Sequence, residues 1–221
     1  MISTLRHQEI FNPRDNNTRV TVIGAGAVGS RVVASLIELG ITNIHVYDPD
    51  YVEAHNLANQ LYAYEDIGRS KVAALLNWVL AKLGFYPTEF VIHAREVTAE
   101  TPIMGTVFLL VDSLEVRKQL VSSFHGNTSI ARVIDVRMAA AHGSVFCFSP
   151  HTQLQEYLGT LGSDEDAEVS ACGSPYSVGP TANILANMAV WQYINVKTNP
   201  AAVEERINIF LRPLITITSL L

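Results

Sequence analysis

The sequence predicts an α/β fold, a Rossmann-like doubly wound sheet with a parallel N-terminal part and an antiparallel C-terminal extension. Three observations carry that prediction. A β-branched run at 19–24, RVTVIG, flows into a G-x-G-x-x-G frame and then into helical periodicity. Strand-like and helix-like stretches alternate from there, the pattern of a parallel sheet with crossover helices. At the end of the chain, strand-like text runs on without intervening helices, which an antiparallel continuation explains.

The elements follow in order. The first strand, 19–24, ends in glycines. Over 27–39 the apolar residues Val28, Val32, Leu36 and Leu39 recur at helical spacing, and Gly40 ends the helix. NIHVYD (43–48) is a second strand, and SKVAALLNWVLAKLGF (70–85) is an amphipathic helix stopped by Gly84 and Pro87. EFVIHARE (89–96) and GTVFLLVD (105–112) read as strands. A helix over about 114–123 and the strands ARVIDVRM (131–138) and SVFCFSP (144–150) come next. Residues 151–177 are polar and acidic, a long loop by composition. VGPTANILANMAVWQYINV (178–196) is a helix of buried type, and RINIFLRPLITITSLL (206–221) is strand-like to the end.

At 221 residues and 48% hydrophobic, the chain suits a single domain over 1–221 with a substantial core. Its nucleotide-binding part is expected at about 19–137 and a crossover loop at about 151–177. A formal net charge of −6 argues against a nucleic-acid or anionic-membrane partner. No apolar run reaches the roughly 18 residues that span a bilayer, and the polar N-terminus lacks a signal-peptide core, so a cytoplasmic protein is expected. The two cysteines, Cys147 and Cys172, form no C-x-x-C pair, and the seven histidines are scattered. No structural zinc is expected. Cys147, inside an apolar strand, reads as core.

Gly24, Gly26 and Gly29 each have a physical task in a nucleotide loop: a tight turn, a close approach of backbone to phosphate, and close helix–sheet packing. The helix N-terminus behind them offers unpaired N–H donors to an anion. Asp48 lies at the end of the second strand, about 20 residues on, where an acid binds ribose hydroxyls. The loop therefore says nucleotide without saying which one, since NAD, FAD, S-adenosylmethionine and ATP all carry an adenosine ribose.

The text DPDYVEAHNLANQLYAYEDIGRSKV (48–72) narrows the choice. It resembles the signature of the ThiF-like adenylyltransferases, the ubiquitin-activating-enzyme-like family that activates ubiquitin-like proteins and the sulfur carriers of thiamine and molybdopterin synthesis. The family's D-x-D-x-V, N-L-x-R-Q and D-I-G-x-x-K segments are matched by Asp48, Asp50 and Val52, by Asn56, Leu57 and Gln60, and by Asp66, Ile67, Gly68 and Lys71. A strand ending in D-N with V-R to follow is matched by Asp112, Val116 and Arg117 in VDSLEVRKQL. SACGSPYSVGPTANILANMAVWQYI is similar to the family's crossover segment and following helix, so the resemblance covers about 19–196.

That resemblance implies ATP and magnesium as cofactors and adenylation of a carboxylate with release of pyrophosphate. The substrate it implies is the C-terminal glycine of a small ubiquitin-like or sulfur-carrier protein. It places Asp48 on the ribose, Lys71 on the phosphates and Asp112 near magnesium and the α-phosphate. Asn56 and Gln60 would line the pocket, with Ala27, Asp50, Asn59 and Ser113 completing the nucleotide-contacting set. It also implies a homodimer. A lysine opening a helix is badly placed for the helix dipole, which makes an anion partner for Lys71 more plausible.

One position departs from the family pattern. The arginine of N-L-x-R-Q, which contacts phosphate in family enzymes, is Asn59 here. Arg6, Arg14 and Arg137 are the candidates to replace it. Arg6 precedes Gln8 in RHQ, near where family members carry an arginine that reaches a partner subunit's site. Cys172 in EVSACGSPYS is the candidate for a thioester or persulfide. Two alternatives stay open: an NAD- or FAD-dependent oxidoreductase, resting on the glycines and Asp48 alone, and a degenerate family member that binds ATP or a partner without turnover.

Overall fold

The structure, a computed structural model, describes residues 3–162 and 177–221. One eight-stranded sheet runs through it, in the spatial order β3-β2-β1-β4-β5-β6-β7-β8. The strands are β1 (Val20–Ile23), β2 (Ile44–Tyr47), β3 (Val91–His93), β4 (Gly105–Leu109), β5 (Ile130–Met138), β6 (His142–Phe148), β7 (Arg206–Leu211) and β8 (Leu214–Ser219). Neighbours from β3 through β5 pair in parallel, and β5 through β8 pair antiparallel. The expected parallel sheet and antiparallel extension are both present. The order reverses direction between β1 and β4, which creates a topological switch point.

The helices are α1 (Pro13–Asn16), α2 (Ala27–Glu38), α3 (Lys71–Leu83), α4 (Leu114–Phe124), α5 (Leu154–Leu158) and α6 (Gly179–Thr198). Two separate cores show that both faces of the sheet are covered. On one face, Val32, Leu36 and Ile37 of α2, Val72 and Leu75 of α3, and Leu185, Ala189 and Tyr193 of α6 pack over Val20, Val22, Ile44 and Phe108. On the other, Leu120, Val121 and Phe124 of α4 and Leu154 and Tyr157 of α5 pack over Val107, Leu109, Val133 and Phe148. The successive side chains of β4 thus go alternately to opposite faces, as the pleat demands. Cys147 lies in the first of these cores.

Local chemistry sets the element ends. Gly84 closes α3 in the left-handed conformation, φ +74°, and the Ser70 hydroxyl caps its start. Three elements differ from the sequence expectation. Part of the stretch read as a loop forms α5, because Leu154 and Tyr157, three residues apart, both reach the second core. The last strand-like run is a hairpin, with Arg212 and Pro213 turning the chain between β7 and β8. The strand expected at 89–96 is confined to Val91–His93.

Candidate nucleotide-binding site

The three glycines earn their places for three different reasons. Gly24 has φ +97°, and a Cβ on it would stand 2.6 Å from the carbonyl oxygen of Leu110. A Cβ on Gly29 would stand 1.9 Å from the carbonyl oxygen of Gly24, so only a bare backbone lets α2 sit on the turn. A Cβ on Gly26 would meet nothing within 4 Å. Gly26 is also the N-cap of α2, and no side chain caps it. The helix therefore presents its first N–H groups to open space at the C-terminal ends of β1 and β4, the arrangement that binds an anion.

Asp48 follows β2 directly and is buried, with a relative exposure of 5%. Its Oδ2 accepts the N–H of Ala25 at 2.6 Å and its Oδ1 accepts the N–H of Asp50 at 2.9 Å. The carboxylate thereby ties the glycine loop to the segment after β2, and each oxygen keeps a second lone pair for a ligand hydroxyl. Burial pushes its pKa up, opposed by the Ala25 N–H and the Lys71 ammonium.

The DIGRSK text is a clip that delivers Lys71. Gly68 N–H donates to the Val52 carbonyl, Val52 N–H to that of Arg69, and Lys71 N–H to that of Asp50. This lays residues 68–71 antiparallel against 50–52. Lys71, buried at the first position of α3, then sets its Nζ 2.8 Å from Asp50 Oδ2. A buried ammonium at the wrong end of a helix dipole is held there by Asp50, whose carboxylate is largely exposed.

Asp112 lies just past the C-terminal end of β4, exposed, and its Oδ1 accepts the N–H of Ser113 at 2.9 Å. The cap of α4 is the Ser113 hydroxyl, which accepts from Val116 N–H. Beneath Asp112 lies Arg117, fully buried, donating to the carbonyls of Leu109, Val111 and Val136 and pairing with buried Asp135 of β5. That guanidinium holds the end of β4 against β5 and so fixes where Asp112 emerges.

Residues 54–60 complete the wall. Asn56 is buried, and its Oδ1 accepts the N–H of Glu53 at 2.8 Å, so its amide builds the turn. Asn59 Nδ2 donates to the carbonyl of Ser177 at 3.4 Å. His55 is exposed beside Glu53.

The ThiF family model matches residues 13–212. The chain belongs to the ThiF family. Among curated proteins, the NEDD8-activating enzyme E1 catalytic subunit of Arabidopsis thaliana is 29% identical over 132 residues, 52% of this chain and 29% of the relative. Its Dictyostelium discoideum counterpart is 39% identical over 72 residues, 31% of this chain and 16% of the relative. The sulfur carrier protein ThiS adenylyltransferase of Bacillus subtilis is 33% identical over 75 residues, 30% and 22% of the two chains. The matches thus span less than a third of each of these relatives. Among solved structures, E. coli MccB superposes with a TM-score of 0.77 at 17% identity, covering 97% of this chain and 67% of MccB. PaaA superposes at 0.71, likewise at 17% identity, covering 96% and 67%. At such identities these two speak for the fold, which is that of the ThiF family.

The ThiF motifs thus meet along one sheet edge, whereas other candidates lie apart from it. Arg6 is exposed in the N-terminal turn, where neighbouring Thr4 and His7 pack on Gly40 and Leu39. That is the far end of α2, about 18 Å from Gly26 for a 12-residue helix. Arg14 is exposed on α1. The Arg137 guanidinium is committed: Nε donates to Asp135 Oδ2 at 3.0 Å and both terminal nitrogens donate to Thr160. It also lies over the rings of Phe146 and Tyr157. Cys172 lies outside the described residues. Burial pushes the Cys147 thiol up to about 12.

Two loop-holding residues escaped the sequence reading. The Tyr62 hydroxyl, buried, donates to the Ala25 carbonyl at 2.6 Å, and burial raises its pKa. The Ser30 hydroxyl donates to the Gly26 carbonyl and accepts the N–H of Leu61. Each is a common residue type touching backbone far along the chain, a pairing that leaves no local pattern to read.

Proposed function

We propose that this ThiF-family chain binds ATP with magnesium and adenylates a carboxylate, releasing pyrophosphate. The observation that carries this reading is the convergence at one sheet edge of the uncapped α2 N-terminus over open Gly26, Asp48, Lys71 on Asp50, and exposed Asp112. The residues fit the nucleotide: an uncapped helix N-terminus over open Gly26 for phosphate, a buried acid for ribose and an exposed acid for a metal. ATP brings the activated α-phosphorus that makes a carboxylate reactive. In this reading Asp48 orients the ribose through its spare lone pairs. The α2 N–H groups and the Lys71 ammonium neutralise charge on the phosphates, and Asp112 holds magnesium beside them. Catalysis then comes from positioning and charge neutralisation, with no protein nucleophile at the first step.

The carboxylate proposed is the C-terminal glycine of a small ubiquitin-like or sulfur-carrier protein, the kind of partner named for the Bacillus subtilis relative. A homodimer is proposed as well, supported by exposed Leu214, Ile215 and Ile217 on edge strand β8. Cys172 is kept as the candidate acceptor of the activated acyl group. A second reading, nucleotide binding without turnover, is favoured by Asn59, whose amide puts no charge where the family carries arginine.

The deciding experiment is ATP–pyrophosphate exchange with a β-grasp carrier ending in Gly-Gly, alongside thermal unfolding with ATP·Mg, NAD and FAD. Ligand at about a hundred times its dissociation constant adds about 2.7 kcal/mol, a rise of several degrees at about 2–4 °C per kcal/mol. The rise is expected with ATP·Mg and to weaken in Lys71→Ala and Asp112→Ala. A rise with NAD or FAD, indifferent to Lys71, would establish the oxidoreductase instead. A rise with ATP but no exchange would establish the non-catalytic reading.

A further inference from the structure

We propose that Arg31 of α2 is a polyphosphate-binding residue, supplying from the glycine-loop helix the cation that Asn59 lacks. The inference rests on the nucleotide reading above. Arg31 lies one turn after Ala27, the first residue of α2. Helical side chains lean toward the N-terminus of their helix, so its long side chain leans toward the uncapped end beside Gly26. Its neighbour one turn back, Ala27, carries only a methyl.

The guanidinium's surroundings locate it further. Gly179 opens α6, and a Cβ there would lie 3.8 Å from Arg31 Nη2, 3.6 Å from Asn59 Cα and 3.3 Å from the Ala58 carbonyl oxygen. Arg31 and Asn59 therefore meet over a bare glycine. Enclosed around that meeting point are Arg31 Nε, Asn59 Oδ1, Gln60 Oε1 and Ser177 Oγ, none of which has a hydrogen-bond partner among the described residues. Buried polar atoms are nearly always paired, so four orphans on neighbouring segments mark a place built for something else. Carboxamides present either oxygen or NH2 after a half-turn. Asn59 keeps its amide nitrogen on the Ser177 carbonyl. With Gln60 turned, Arg31 Nε, the Gln60 NH2 and the Ser177 hydroxyl become a set of donors around a permanent positive charge. Phosphate oxygens accept from such a set.

Charge balance points the same way. The sheet edge gathers Asp48, Asp50 and Asp112, while Lys71 is already paired with Asp50. Arg31 forms no ion pair with any described carboxylate. It is thus a cation available to a polyphosphate.

The test measures equilibrium binding of ATP·Mg and, by competition, of adenosine. It compares wild type, Arg31→Ala, the near-isosteric Arg31→Gln and the double variant Arg31→Ala/Asn59→Arg, with thermal unfolding as the fold control. Loss of a charge-assisted bond weakens ATP·Mg roughly 10- to 100-fold while adenosine changes by no more than about twofold. Arginine at 59 in the double variant recovers most of that loss. Equal losses for ATP and adenosine would overturn the proposal in favour of a packing role. Unchanged ATP binding in a folded Arg31→Gln would overturn it too and leave the nucleotide reading standing. A wild type that binds no ATP would overturn the nucleotide reading and this inference with it.

Discussion

Along β1 every residue is buried between layers of helix, whereas along β8 every residue is exposed. The parallel half is over-determined: helices cover both faces, and its strand ends are pinned by side chains that reach across the sheet edge. The antiparallel end is bonded on one side only, and Leu214, Ile215 and Ile217 stand largely uncovered. Binding geometry can be held to fractions of an ångström only where the chain packs against itself. An exposed apolar edge strand instead invites further pairing. This contrast is what the proposal of nucleotide chemistry in the first half and association between copies in the second requires.

The sharpest way to break the comparison is at β5, the strand that pairs in parallel with β4 and antiparallel with β6. Its Asp135 is fully buried, pairs with buried Arg117, and accepts from Arg137 and from the Tyr157 hydroxyl. Asp135→Ala leaves a guanidinium buried without its counter-charge. A loss of about 3–5 kcal/mol in urea unfolding is expected. Leu214→Ser on β8 should stay within about 0.5 kcal/mol in the same assay. Similar losses at the two sites would mean that the difference in burial carries no difference in stability.

Within the glycine loop the same contrast reappears at single-residue scale. Gly29→Ala forces a methyl onto the Gly24 carbonyl, and a cost of about 3 kcal/mol is expected, the upper end for overpacking. Gly26→Ala meets open space and should unfold within about 0.5 kcal/mol of wild type. Its methyl stands where a phosphate would approach, so ATP·Mg binding is the property it should lose. Calorimetric titration beside urea unfolding separates the two effects. A Gly26→Ala protein that binds ATP normally would move the phosphates away from this loop.

The two halves also differed in how far sequence exposed them. Gly24, Gly26, Gly29, Asp48 and the DIGRSK clip act on backbone within a short span, so their spacing carries their geometry. The boundaries of α2 and α3 follow from periodicity and from Gly40 and Gly84, which stop them. Residues that act across long separations stayed hidden: Tyr62 on Ala25, Asp135 under Arg117, Arg31 against Gly179. Arg137 sits in legible text as a candidate to replace the family arginine, yet a buried acid two residues before it and the turn at Thr160 take its guanidinium. The turn between β7 and β8 lacks the glycine or asparagine that marks most hairpins, and α5 has too few residues to show a period.

The smallest expected effect concerns the sheet's other edge, where β3 is covered enough to perturb histidines but not to bury them. His93 Nε2 lies 3.2 Å from His45 Nδ1, and the His93 ring stacks on Tyr47 with centroids 4.0 Å apart. Burial, then the charges of Arg19 and His93, lowers the His45 pKa from 6.5 to about 4. Between those values the unfolded chain binds a proton that the folded chain refuses. Stability contributed by His45 is therefore present above 6.5 and lost as pH falls toward about 4. Asp48 works in the opposite sense. Its raised pKa favours the protonated carboxyl in the fold, so its contribution falls as pH rises from 3.8 through the folded value. The two slopes oppose each other in the wild-type profile, and His45→Asn, which does not titrate, removes only the first. Urea unfolding across pH 4 to 7 should then show the variant losing less stability on acidification than wild type, by a modest margin because His45 is only half-buried. Parallel profiles would mean that this edge is as open to water as β8.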